Sequence, residues 1–202
     1  MKYNLLRRSI FFCASLCLLV ASFSSCKKKT GKKEEDSMEN VKGSYFSIKQ
    51  FALDEWNTFA GDLFTVTKIT TIDSKIVDSA ILASDTMDWN QIFKAFFPSD
   101  ISDRKFLGKY NFNQFDDNVD GTHNFFYEAK DEDQFTQKLL ITIALFTNKV
   151  KGIYIETRKS SISGDITQKL YYKPMTEVQI QTIDEPKMGN KKHTVVQYDF
   201  NR

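Results

Sequence analysis

From about residue 124 onward the apolar side chains recur at every second position, and this two-residue period constrains the fold more than any other feature of the chain. Leu139, Ile141, Ile143 and Leu145 alternate with Lys138, Leu140, Thr142 and Ala144; beyond Thr147-Asn148-Lys149 the pattern resumes with Ile153 and Ile155 opposite Tyr154 and Glu156. Successive side chains of a strand point to opposite faces, so such a run reads as half-buried β-structure and not as helix. Further alternating runs cover 124–129, 166–173, 177–183 and 194–200, separated by Ser, Gly, Asp and Pro clusters. About six consecutive strands imply an antiparallel meander. Upstream, 64–71 and 75–82 are rich in β-branched residues around Ile72-Asp73-Ser74 and read as an N-terminal hairpin.

A sheet with one apolar face must be covered, and the preceding residues supply the cover. Ser47 with Gln50 forms a capping box, after which Ile48, Phe51, Ala52, Trp56, Phe59 and Ala60 follow helical spacing until Gly61, predicting a helix over 48–60. Asp88 with Gln91 repeats the device, and Trp89, Ile92, Phe93, Phe96 and Phe97 share one face until Pro98. A shorter helical turn is expected from Asp103 to Leu107, before Gly108. The expected fold class is α+β: a meander of about six C-terminal strands plus an N-terminal hairpin, packed by two amphipathic helices, in a single domain over 44–202. Its 159 residues suffice to bury one sizeable core. No repeat of solenoid or propeller length is evident.

The first 25 residues are of a different kind. Lys2, Arg7 and Arg8 precede an uncharged stretch from Ser9 to Cys26 whose most apolar part, Ile10 to Val20, is shorter than the ~20 residues a spanning helix needs. That is the order of a signal peptide, with an uncleaved single-span anchor as an alternative. The stretch ends Phe23-Ser24-Ser25-Cys26, which resembles the lipobox of bacterial lipoproteins. The resemblance implies cleavage before Cys26, a diacylglycerol on its thiol and a fatty acyl chain such as palmitate on the new amine. It therefore implies a bond to the membrane through Cys26. Without lipidation, the chain would be an ordinary secreted protein with a leftover free Cys.

Residues 26–43 follow as a tether. Between 27 and 43 there are ten charged residues and one aliphatic side chain, Val41, so the segment cannot form a core. Lys27, Lys28, Lys29, Lys32 and Lys33 either lie against anionic headgroups or stay solvated. Lys33-Glu34-Glu35-Asp36 is similar to the run that directs lipoproteins of Bacteroidetes-type bacteria to the outer leaflet. The resemblance implies a bacterial cell envelope location, lipid-anchored at the outer membrane, with either leaflet open. The folded region resembles that broad class of uncharacterised envelope lipoproteins in layout alone.

Composition removes several functions. No Cys follows Cys26, so a disulfide framework, a CxxC redox pair and a Cys-ligated zinc site are impossible in the domain. Behind the leader 25 basic residues face 26 acidic ones, which argues against nucleic acid as a partner. The domain has two His, His123 and His193, outside any HExxH spacing; no GxSxG elbow and no Gly-rich phosphate loop occurs. No catalytic residue, cofactor or metal ligand is assigned on these grounds, although paired carboxylates of a glycosidase leave no sequence spacing to recognise.

Three local features are left to weigh. Asp116, Asn118, Asp120 and Gly121 occupy the first, third, fifth and sixth positions of an EF-hand loop, but the twelfth is Tyr127 and the acid comes one residue later at Glu128. An acidic turn is the expectation, with calcium left open. Trp56 and Trp89 fall on helical apolar stripes and are expected in the core. Tyr171 lies with Lys169 and Lys173 on the face opposite Leu170 and Tyr172, a candidate exposed patch. The expected function is a membrane-anchored, non-enzymatic binding or structural module meeting an envelope protein or glycan. The alternatives are an envelope glycan hydrolase using paired carboxylates and a carrier of an apolar ligand.

Overall fold

A computed structural model describes residues 45–201 of the chain. Helix α1 spans Ile48–Phe59 and a short α2 spans Trp89–Phe93; the strands are β1 Thr65–Ile72, β2 Lys75–Ala83, β3 Tyr110–Asp117, β4 Thr122–Ala129, β5 Thr136–Ala144, β6 Val150–Ser161, β7 Gly164–Lys173, β8 Glu177–Pro186 and β9 Lys192–Asn201. They form one nine-stranded sheet in the order β2-β1-β9-β8-β7-β6-β5-β4-β3. Every pairing is antiparallel. Seven strands run as a meander from β3 to β9, and the N-terminal hairpin joins its far end, with Thr65 opposite Asn201 and Ile72 opposite Thr194. The sheet is open, with β2 and β3 as its edges.

The meander has one strand more than the alternation predicts. The extra strand, β3, is exposed along nearly all its length after the buried Tyr110. An edge strand has one neighbour and little to bury, so its sequence needs no strict alternation. The second helix is likewise shorter than its apolar stripe, ending at Phe93 with Lys94 as C-cap. The Phe96 amide donates to the Phe93 carbonyl at 2.8 Å, and a 3-10 turn at Phe97–Ser99 follows. Pro98 lacks a donor and biases Phe97 away from helix, so the run tightens before it stops. The expected turn near 103–107 is a 3-10 turn, Arg104–Phe106. Between β1 and β2, Asp73 and Ser74 both adopt positive φ, 47° and 67°, as a two-residue hairpin turn requires. A register shift after Thr70 leaves Val77 as the extra residue of a bulge.

One face of the sheet carries the core. Val66, Leu139, Ile141, Ile155, Leu170, Tyr172 and Val178 are fully buried there, facing Ile48, Ala52, Trp89, Ile92, Phe93, Phe96 and Ile101 of the helical layer. Each such aliphatic side chain contributes roughly 1.5–3 kcal/mol by leaving water. Aromatic rings bridge the layers: Tyr172 meets Phe51 at 5.8 Å and Phe93 at 5.1 Å, and Trp89 stacks on Phe93 at 5.4 Å and on Phe200 at 5.5 Å. Trp56 lies 5.4 Å from Trp89, so both tryptophans belong to this packing, as their spacing predicts. Tyr110 joins the buried set at the β3 end, where burial pushes its phenol up to about 12 and its hydroxyl donates to the Thr136 carbonyl at 3.0 Å.

The N-terminus of α1 is held from outside as well as by its own cap. Ser47 accepts the Gln50 amide at 3.1 Å, while Asp100 accepts the Lys49 amide at 2.8 Å and the Ser47 hydroxyl at 2.8 Å. Its other oxygen takes the Ser102 amide at 2.8 Å. Burial by itself would raise the Asp100 pKa, but these hydrogen bonds outweigh it and the group titrates below its ordinary value of 3.8. A depressed folded-state pKa adds stability in full above the unfolded value and loses it as pH falls through the folded one. Asp100→Asn is therefore expected to lower stability by about 1–2 kcal/mol at neutral pH. In thermal melts against pH, the gap to wild type should narrow as pH falls below the ordinary carboxyl value of 3.8 and through the lowered folded-state one.

Candidate functional site

The alternation that buries one face of the sheet presents the other to solvent. On β7, Leu170 and Tyr172 are fully buried while Lys169 and Lys173 are exposed and Tyr171 is half-buried, so the predicted patch lies on the uncovered face. Register makes it larger than sequence shows. Tyr171 stands opposite Tyr154, Tyr154 opposite Leu140, and Leu140 opposite Phe126, a row across four strands. It continues through Gln179 of β8 to Gln197 of β9. The Tyr171 ring lies over Gly152, where an added Cβ would sit 3.8 Å from Cε2.

Beside this row runs a second one of alternating sign: Glu128 opposite Lys138, Lys138 opposite Glu156, and Glu156 opposite Lys169. Opposite charges on facing strands attract. The Lys138–Glu156 ion pair is 3.5 Å, and the Tyr154 hydroxyl donates to Glu156 at 2.6 Å. Burial first, then the neighbouring Glu156 carboxylate, raise the Tyr154 pKa, so its hydroxyl stays a donor at neutral pH. Chemically, the face offers apolar area next to fixed donors and acceptors.

A groove of about 310 Å³ opens where β6 runs past the start of β5, lined by Glu132, Asp133, Phe135, Arg158, Lys159 and Ser160. Arg158 sits between two acids, with Asp165 at 3.1 Å and Glu132 at 3.5 Å. Asp165 also accepts from the Ser160 hydroxyl, and that bond together with Arg158 lowers its pKa. Asp131-Glu132-Asp133 lies in the β4–β5 connection, but its proximity to Arg158 and Asp165 needs the β6 and β7 register and has no local signal.

The EF-hand-like fragment is divided by the fold. Asp116 belongs to β3, stands opposite His123 and bonds to its Nδ1, while Asp117 Oδ1 accepts the amides of Val119 and Asp120. Gly121, at φ 60°, completes the β3–β4 turn, and the would-be second half of the loop is strand β4. Asp116, Asn118 and Asp120 are thus hairpin residues, the acidic-turn reading. Among the described residues no cluster of three or more His, Cys, Asp or Glu is placed to hold a metal ion. His123 packs edge-on against Phe125, and the backbone of His193 pairs with Asp73; both are second residues of their strands. Cys26, the lipobox-like stretch and the lysine-rich tether lie outside the described residues. Among the described residues no helix is long and apolar enough to cross a membrane.

No protein family matches the chain, and no curated protein is similar to it.

Proposed function

We propose that this protein is a lipoprotein of the bacterial envelope, held to the outer membrane through lipid on Cys26, whose domain serves as a non-enzymatic binding or structural module. The observation that carries the anchor is the position of Cys26, directly after Ser24-Ser25 at the close of the uncharged stretch. The observation that supports recognition is the uncovered face, where Phe126, Leu140, Tyr154 and Tyr171 line up beside the alternating charges. Planar rings with an apolar body and polar tip suit glycan or protein contact. The opposite face packs its aromatic side chains into the helical layer, which leaves the uncovered face and the loops to meet a partner.

Mass spectrometry of the purified protein tests the anchor: the expected N-terminal peptide starts at Cys26 and carries diacylglycerol plus one acyl chain. A mature chain starting elsewhere without lipid defeats it. Binding to isolated envelope polysaccharide and envelope protein fractions tests the face, with Tyr154→Ala and Tyr171→Ala expected to weaken retention.

The hydrolase alternative draws on one feature, the groove with Glu132, Asp133 and the nearby Asp165. Release of reducing ends from envelope glycan, abolished in Glu132→Gln or Asp133→Asn, would favour it.

A further inference from the structure

Among the described residues the sheet ends on one side at β2, which pairs with β1 alone. The Ser84 amide donates to the Phe64 carbonyl at 3.0 Å, which sets the phase of this ladder. Hydrogen-bonded and non-hydrogen-bonded pairs alternate along antiparallel strands. From that phase Ser79, Ile81 and Ala83, opposite Ile69, Thr67 and Thr65, turn their peptide groups away from β1. The same edge exposes large apolar side chains, with Ile76 at 69%, Val77 at 56% and Ile81 at 76%; Ile76 and Ile81 share the face of Thr71 and Thr67. Free edges are normally blunted by Lys, Pro or inward charge. Here Lys75 stands at the first position, Asp78 is paired with Lys68 at 3.2 Å, and the strand contains no Pro. The bulge at Val77 adds twist but no charge.

We propose that β2 is a dimerisation edge, at which two copies of this chain pair antiparallel about a two-fold axis through Ser79 and continue one sheet into the other. Residues 77–81 of β2 are self-complementary in that register. Val77 meets Ile81 of the second copy, Asp78 meets Ala80, and Ser79 meets its own counterpart, the bulge ending this register beyond Val77. A two-fold pairing of this kind is closed and repeats each contact twice. Centring it one residue earlier would set two Asp78 carboxylates face to face; centring it one residue later would lose the Val77–Ile81 contact. The other edge, β3, ends in Asp116-Asp117 and lacks such symmetry.

The test is thiol cross-linking in intact cells expressing the full chain, read on non-reducing gels. Ser79→Cys, treated with a short bifunctional thiol reagent, is expected to give a dimer band, whereas wild type and Ile162→Cys, at the 93% exposed tip of the β6–β7 turn, give none. Adding Ile81→Lys to Ser79→Cys should abolish the band while the thermal melt of the purified Ile81→Lys protein stays unchanged, since that side chain is exposed. Three results overturn the proposal: no dimer from Ser79→Cys when its introduced thiol is shown to react with a monofunctional maleimide, a band of equal strength from Ile162→Cys, or a band that survives Ile81→Lys. A ladder of higher multimers from Ser79→Cys also overturns it, because a two-fold pairing closes at two chains.

Discussion

Replacing Cys26 by Ser is expected to abolish incorporation of a labelled fatty acid into the protein and to remove its leader-free form from the detergent phase in a phase-partition assay. Each acyl chain contributes about 0.8 kcal/mol per buried CH₂, and since a single chain holds a protein only marginally, several on one residue make the difference between retention and release. The tether behind Cys26 supplies charge and, with Val41 its single aliphatic side chain, too little apolar surface to take over that role. Cys13 and Cys17 are internal controls, because both precede the expected cut, so Ser at either position should leave the label unchanged. Acyl label is the decisive readout, since an uncleaved leader could keep an unlipidated chain in the pellet. Full labelling of the Cys26→Ser protein would remove the anchor from the proposed function.

A second large effect is expected in the core. Phe93 is 2% exposed, stacks on Trp89, and meets Phe96 at 5.4 Å and Tyr172 at 5.1 Å, so it joins the helical layer to the sheet. Phe93→Ala removes those contacts and leaves a void, at an expected cost of about 3–5 kcal/mol. In a domain of this size that corresponds to a fall in melting temperature of roughly 6–20 °C. Phe146, exposed at the tip between β5 and β6, provides the contrast. Its replacement by Ala should change stability by no more than about 0.5 kcal/mol. Calorimetry of the two variants against wild type checks both, and similar melts would mean that the layers are not packed as described.

Legibility in the sequence follows burial. The β5–β6 hairpin and β7 to β9 are readable because each alternates apolar and polar residues, and alternation arises wherever one face of a strand is buried and the other wet. Helix α1 is readable from Ser47 and its apolar stripe, and ends within a residue of the expected position. Missing from that reading is Asp100, which caps the same helix from 51 residues away. Strand β3 is hidden for the opposite reason to β5: it buries little and so leaves little pattern. Tyr171 stands out because its own strand alternates, yet the row that gives it neighbours is a matter of register between strands.

The elements and the leader are written locally: periodicity, caps, turn residues and the placement of Cys26 depend on neighbours a few positions away, and neighbours in sequence are there to be read. Long-range packing, in contrast, makes the N-terminal hairpin pair with β9 and leave β2 and β3 as edges, and brings Glu132 and Asp165 together at Arg158. Those facts follow from cooperative assembly of the whole sheet, in which the register of each strand is set by burying its apolar face against residues far along the chain.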